Sequence, residues 1–488
     1  IPEWARPLPV EPVRCVTLNT RDNELWAATP LGLIFLDLQH RRKLYFASKR
    51  WLPNDDVISV EITYEGHALA RTPSGDSLIM RRYITLEQKA LHFEHITQER
   101  HNRLGMIANS LLKTPGDVSS FILIPDDNDG QWTEMYLAAE SFRFATTGDP
   151  EALRNARESF QAMERLLTIS PVKGYPVRSV LPADECKGKD TSIWHMLPTG
   201  DWCIKSDTSV DELVGHYFGL PIYYDLVADE TEKETIRRLI TNLTDYIVDN
   251  GYRLLDENGK VTTHGHWEPE WVNTHGRLGD QGLNSLQALS ALRSAYHITR
   301  NEKYLQKYDY LIKEHRYHRN TLKQKEISDR HQINHDSDEM ALLSFYNLIR
   351  YETDPELRNK YYLEGMRLSW LKDLPERNPE QIIFYGAFAE HDFRLDLAVQ
   401  TLREIPLDLV MWSVRNSHRA DIAAAQRPDR FKNLQSLLVL PYTEIQTMRW
   451  ADNMYQLDTN SDGNYEACAT FWLLPYWMAR YYDMIQEN

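Results

Sequence analysis

Cysteine is scarce in this chain of 488 residues: only Cys15, Cys186, Cys203 and Cys468 occur, too few for a fold held by a disulfide framework. Cys186 and Cys203 flank one loop, where a disulfide in an exported protein and two free thiols are both open readings. No CxxC or HExxH accompanies the histidines, so a standard zinc site has no support. No apolar run approaches the ~20 residues of a membrane span. A basic tract is also missing, and 55 Lys and Arg against 71 Asp and Glu leave a formal charge of −16. Nucleic acid is therefore an unsuitable partner. Without GxSxG, Walker or dinucleotide sequences, serine-elbow acyl transfer, nucleotide hydrolysis and hydride transfer have no basis. The chain starts Ile1-Pro2-Glu3 without Met, which fits either a removed signal peptide, with a periplasmic, cell-surface or secreted location then expected, or a trimmed chain.

Aromatic residues, by contrast, are plentiful at 11%, with 13 Trp and 26 Tyr. They combine an apolar face with a polar tip, which suits both cores and stacking on sugar rings. Short alternating apolar runs make residues 1–84 a β domain. Within it, Glu24-Leu-Trp-Ala-Ala-Thr29-Pro-Leu-Gly32 lines up with His67-Ala-Leu-Ala-Arg-Thr72-Pro-Ser-Gly75. That spacing suits propeller blades, but two blades cannot close a propeller, so a two-blade appendage is expected.

From Thr85 the periodicity becomes helical. A capping box at Thr85–Gln88 opens a helix expected to reach Leu112. Paired helices follow: 131–146 with 151–167, 211–227 with 231–250, 281–299 with 303–315, and 338–351 with 356–371. Further helices are expected over 381–403 and 465–484. The first member of each pair is rich in Ala, Leu and Tyr, the second in Lys, Glu and Arg. That inner–outer alternation predicts a mainly α fold, an (α/α)6 toroid of helical hairpins over residues 85–488.

Four polar, aromatic loops run into inner helices: 126–136, 205–219, 264–282 and 333–340. Helix N-termini carry unpaired N–H groups, so their convergence makes a pocket for polar ligands. The first loop offers Asp129, Trp132 and Tyr136. In the second, Asp211 opens the helix, and Glu212 and His216 share one face at i, i+4, with Tyr217 and Tyr223 following. Gly215 and Gly219 beside them permit either close helix packing or close ligand approach. His264-Gly-His266-Trp267 is the densest cluster, readable as a stacking platform, a packed surface loop or, with His275 downstream and less favoured, a metal site. Asn334 and His335 precede Asp336 and Asp338, which serve equally as helix caps. Towards the C-terminus Arg415, Asn416, His418 and Arg419 form a cationic patch of the kind an acidic substrate needs. Asp458, Asn460 and Asp462 match half of a calcium loop, a possible structural calcium site, although Ala469 stands where the closing carboxylate belongs. Tyr465 and Glu466 stand ready to face the cavity.

DNDGQWTEMY (127–136), DTSVDELVGHYFGLPIYYDLV (207–227), GHWEPEWVN (265–273) and FWLLPYWMARYY (471–482) together give the chain a family likeness. It resembles bacterial (α/α)6-toroid polysaccharide lyases with a propeller-like N-terminus, the rhamnose–glucuronate lyases that remove rhamnose caps from plant arabinogalactan. The family form of one loop is closer to WGVWSPEKLN than to HGHWEPEWVN, which bears on substrate preference. The resemblance implies β-elimination from a uronate in an acidic oligo- or polysaccharide, with no cofactor required. Such chemistry needs a group to neutralise the carboxylate, a base for the C5 proton and an acid for the leaving oxygen. Arg415, Asn334 and His335 are candidates for the first role, and His216, Tyr217 and Tyr223 for base and acid. Trp132 and Trp267 would stack on the rings. Two rival readings stand beside it. One is a glycoside hydrolase pairing Asp129 with Asp211, Glu212 or Glu466; the other is a non-catalytic glycan-binding or sensor protein.

Overall fold

A computed structural model of the chain describes residues 1–275, 280–325, 329, 335–447 and 452–486. The first seven strands form two antiparallel meanders. They are β1 (Cys15–Asn19), β2 (Glu24–Thr29), β3 (Gly32–Asp37) and β4 (Arg42–Phe46), then β5 (Ser59–Ile62), β6 (Ala68–Thr72) and β7 (Gly75–Ile79). The sequence echo reappears as geometry. Thr29 Oγ1 donates to Gly32 O and accepts from Leu31 N, while Thr72 Oγ1 donates to Gly75 O and accepts from Ser74 N. Both glycines have positive φ, which the tight hairpin requires. Trp26, Phe35, Phe46, Leu52, Val60 and Ile79 make a core shared by the two sheets, so each blade-like sheet covers the apolar face of the other.

Helix α1 (Leu86–Arg100) opens with the expected capping box, Thr85 Oγ1 accepting from Gln88 N and Gln88 Oε1 from Thr85 N. It stops well short of Leu112. Leu104 and Gly105 both take positive φ and turn the chain into a hairpin of β8 (Asn102–Arg103) and β9 (Met106–Ile107). Next come β10 (Ser110–Leu112) and β11 (Phe121–Leu123), then α2 (Asp129–Thr147) and α3 (Pro150–Thr168). A three-stranded sheet of β12 (Ser179–Pro182), β13 (Trp194–Met196) and β14 (Trp202–Lys205) precedes α4 (Val210–Leu226) and α5 (Glu230–Asp249). Here Cys186 and Cys203 are joined as a disulfide, and Cys15 and Cys468 lie outside it.

The hairpin of β15 (Arg253–Leu255) and β16 (Val261–His266) leads to α6 (Asp280–Thr299), α7 (Glu302–Lys313) and the short α8 (Tyr317–Asn320). Beyond them are α9 (His335–Tyr351), a π-helical stretch (Leu357–Leu363) running into α10 (Glu364–Asp373), α11 (Pro379–Gly386) and α12 (Leu395–Glu404). The single helix expected over 381–403 is thus two, separated near Arg394, whose φ is 64°. Strands β17 (Val410–Trp412) and β18 (Asp462–Glu466) precede α13 (Thr470–Tyr481). Residue 465, expected to begin the last helix, lies in a strand.

Packing closes a ring: α2 meets α4, α4 meets α6, α6 meets α9, α9 meets α11, α11 meets α13, and α13 returns to α2. Outside it, α3, α5, α7, α10, α12 and α1 lie against α2, α4, α6, α9, α11 and α13 respectively. The fold is an (α/α)6 toroid with a small N-terminal β domain of two blade-like sheets. Apolar side chains all round an inner helix, as on α4, are what burial between a lumen and an outer ring demands. Phe142, Phe218, Tyr346 and Phe384 fill the lumen, with ring centroids 5.6–6.2 Å apart. The stack blocks the middle of the toroid and leaves the N-terminal ends of the inner helices as the polar mouth. There a four-stranded sheet, ordered β11-β10-β18-β17, forms one wall.

Candidate active site

Helices α2 and α4 approach one another through glycines. A side chain at Gly215 would strike the Gln131 backbone, and one at Gly219 would strike Glu134. Of the two readings open for these glycines, close packing is the one found. Their contact puts three ionisable groups in one buried layer. His216 Nδ1 lies 2.8 Å from Glu134 Oε1, and its Nε2 has no hydrogen-bond partner among the described residues. Neither carboxylate oxygen of Glu212 has one either. A Cβ on Gly130 would meet the Glu212 carboxylate and come within 3.3 Å of His216 Cε1, so Glu212 and His216 flank the same glycine.

Desolvation sets the protonation of this layer. His216, wholly buried, is held down at about 3 and is a neutral imidazole. Burial drives Glu212 well above the carboxylate range; Arg178 and Lys205 pull it back, but the charges of Asp129 and Asp211 push with burial. Burial and the neighbouring Glu212 likewise raise Glu134. A neutral base and a protonated acid therefore stand side by side. Arg178 and Lys205 reach the layer from the rim, where both contact Asp127.

Asp126, Trp132, Met135 and Glu339 line the space above, opposite Asn109, Cys468, Thr470 and Phe471. The free volume is about 20 Å³, room for a single water. Behind it, Glu380 at the start of α11 is fully buried, and neither of its carboxylate oxygens has a hydrogen-bond partner among the described residues. Burial, then the charge of Glu339, raises it well above the usual range.

Of the residues singled out in the sequence, Trp132 lines this space, Glu212 and His216 lie in the buried α2–α4 layer, and Asp211 stands in the first turn of α4. Asp211, also raised by burial, is in electrostatic contact with Arg178, His264 and Asp336. Other residues singled out in the sequence are turned elsewhere. Tyr217 lies one position, about 100° of helix, beyond His216, and its hydroxyl pairs with Thr244 on α5. Tyr223 stacks on Phe160 of α3, and the Tyr136 hydroxyl donates to Glu94 on α1. All three tyrosines face the outer ring. Asp129 is ion-paired with Arg103 and accepts from Ser179 and Asp126 N, and Glu466 is paired with Arg100. Both carboxylates are thus committed to structure. Trp267 donates to Gln287 inside the core. His266 stacks on Trp271 at 4.2 Å and lies 2.9 Å from Glu268.

His335 belongs to a separate buried ionic cluster with Asp338, Glu376, Lys325 and Asp373. Asn334 lies outside the described residues. Arg415 and the buried Asn416 sit with His418 at the junction with the β domain, away from the mouth. Tyr465 is on β18, opposite Leu111. Asp458 accepts from Asn416 N and Ser417 N, Asn460 from Arg415, and Asp462 from Asn464. Among the described residues no group of three or more His, Cys, Asp and Glu is placed to hold a metal ion. Glu134, Glu339 and Glu380 were missed in the sequence, being single acids within helices. For Glu134 the signal was the Gly215/Gly219 pair facing it.

No protein-family model matches the chain, and no curated protein sequence does. It is similar in structure to a sugar epimerase from a ruminal bacterium, at 12% identity and a TM-score of 0.44, covering 81% of this chain and 97% of that one. A cellobiose 2-epimerase from Spirochaeta thermophila DSM 6192 gives 12% and 0.41, covering 82% and 98%. A D-mannose isomerase gives 12% and 0.42, covering 82% and 97%. Likeness at this distance assigns neither substrate nor chemistry.

Proposed function

We propose that the chain is a carbohydrate-active enzyme, a polysaccharide lyase that cleaves a glycosidic bond to a uronate by β-elimination. The rhamnose–glucuronate linkage of complex plant glycans is the substrate the sequence resemblance favours. One observation carries the reading: neutral His216 and protonated Glu212 flank Gly130 with Arg178 and Lys205 at the rim. They supply a candidate base, a candidate acid and two cations for that chemistry, with the basicity of His216, held at about 3 by burial, raised when a uronate carboxylate binds beside it.

In the reaction, a rim cation neutralises the uronate carboxylate and so acidifies the C5 proton. His216 Nε2 accepts that proton, and its electron pair becomes the C4–C5 double bond. The C4–O bond breaks, and the leaving oxygen takes its proton from Glu212. Trp132 offers a ring face in the wall. The Cys186–Cys203 disulfide supports an exported, periplasmic, cell-surface or secreted location.

Hydrolysis is the second reading, favoured by the buried Glu339–Glu380 pair, in which one raised carboxyl beside another suits a general acid. The deciding experiment incubates the protein with uronate-containing polysaccharides and follows ultraviolet absorbance together with reducing ends. A lyase makes an absorbing unsaturated uronate. Reducing sugar released without absorbance from any uronate substrate rejects the lyase and leaves the hydrolase.

A further inference from the structure

A second cleft, of about 720 Å³, lies between the β domain and the paired strands β17 and β18, lined among others by Lys49, Asp55, Trp412, Arg415, Asn460 and Asp462. Three observations distinguish it from an ordinary seam. Its cations are not in ion pairs: among the described residues neither Lys49 nor Arg415 lies within ion-pair distance of a carboxylate, although Asp55 and Asp462 also line the cleft and Asp458 interacts electrostatically with Arg415. Arg415 donates to Thr459 O and Asn460 Oδ1, both neutral, and Lys49 sits 6.0 Å from the centroid of the Trp412 ring. Asp55 accepts from Ser48 N and Asp462 from Asn464, so the two carboxylates of the lining are held by neutral donors and leave both cations open to a ligand's anionic group.

The aromatic wall is held in place. Gly116 and Gly463, both at positive φ, let the backbone close against Trp412, so any side chain at either would collide with its ring. A fixed indole beside cations and amide or carboxylate hydrogen-bonding groups is the chemistry that binds an acidic sugar ring. Finally, one segment of chain runs from the cleft to the toroid mouth. Asp462 lines the cleft, and Cys468, six residues along the same segment, lines the mouth. Six residues of extended chain span at most about 20 Å.

We propose that this cleft is a distal binding site that holds a uronate-bearing segment of the saccharide chain while another part of that chain occupies the toroid mouth. The proposal rests on the acidic-glycan reading above. It gives the cationic patch centred on Arg415 a role in holding the chain rather than in chemistry.

Binding of oligogalacturonides and oligoglucuronides, with cello-oligosaccharides as neutral controls, tests it by calorimetry. The measurement uses wild-type protein, the double variant Lys49→Ala with Arg415→Ala, and the charge-reversed pair Lys49→Glu with Arg415→Glu. Both side chains are exposed, and thermal melts confirm that the variants fold. The expected result is acidic-ligand binding weakened about tenfold or more in the alanine pair, lost in the glutamate pair and reduced by salt. Unchanged affinity in both variants, or no acidic ligand bound by the wild type, overturns it. The absorbance assay separates the two proposals. Absorbing product with variant-insensitive binding rejects the distal site alone, and Arg415-dependent binding without absorbing product rejects the lyase alone.

Discussion

Gly130 and Glu212 are in direct opposition: the hydrogen on the Gly130 Cα occupies the only space between the first turn of α2 and the Glu212 carboxyl, and a Cβ there would collide with Oε2. Two buried polar groups, Glu212 and His216, owe their positions to this absence of a side chain. Gly130→Ala is expected to destabilise the protein by about 1–3 kcal/mol through overpacking and to displace Glu212. Thermal melts and steady-state kinetics on one preparation check it. A variant with unchanged melting and unchanged turnover contradicts the opposition described.

His216 is the proposed base. His216→Ala should lower kcat by about 10²–10⁴-fold. Because burial holds the ring at about 3, the base stays unprotonated through the range where an ordinary histidine titrates. The acid limb of wild-type kcat/KM should therefore lie below 6.5. An acid limb centred on the ordinary histidine value would assign the base elsewhere.

Glu380 gives a stability test with a definite sign. Its folded-state value is raised by burial and then by Glu339, so the unfolded chain loses this proton first as pH rises. Between the ordinary carboxylate value and the raised one, the folded state binds more protons, and stability falls as pH increases. Glu380→Gln, a neutral isostere, should remove that slope and match or exceed wild-type stability at neutral pH. Denaturant melts across the pH series measure it; a parallel slope in the variant refutes the assignment.

The disulfide between Cys186 and Cys203 closes a loop of sequence separation 17. Chain-entropy arguments give such a loop about 3 kcal/mol. Replacing both cysteines by serine, or adding reductant, should lower the melting temperature, and the serine variant should no longer respond to reductant. Equal melting of all three samples would mean the loop is ordered without the bond.

The toroid was legible because its signals are local. Asp149 and Asp229 cap α3 and α5 through their own side chains, and the Ala- and Leu-rich inner helices differ visibly from the charged outer ones. Errors fell where backbone conformation overrode helical composition. Leu104 and Gly105 end the expected helix before Leu112, and β18 replaces the helix expected from 465 because it pairs with β10. The site was half visible. Glu212 and His216 share a face by i, i+4 spacing, and both approach Gly130. Tyr217, adjacent in sequence, shares no face with them. Arg415 could not be assigned to the cleft beside Lys49 from sequence, since the β domain supplies the opposite wall more than three hundred residues earlier, as the Arg50–Val410 hydrogen bond at separation 360 illustrates.

Ring closure has a consequence for how the chain is made. α2 lies against α13, β10 pairs with β18, and the Trp477 indole donates to Glu94 from 383 positions away. During synthesis the early hairpins emerge with their inner faces uncovered and wait for partners encoded much later. Contacts of such high sequence separation form slowly. The nascent α2–α4 layer, with His216 and Glu134 inside it, is exposed to aggregation throughout that interval. Holdase chaperones should therefore raise the yield of this protein more than they raise that of its β domain expressed within a shorter fusion.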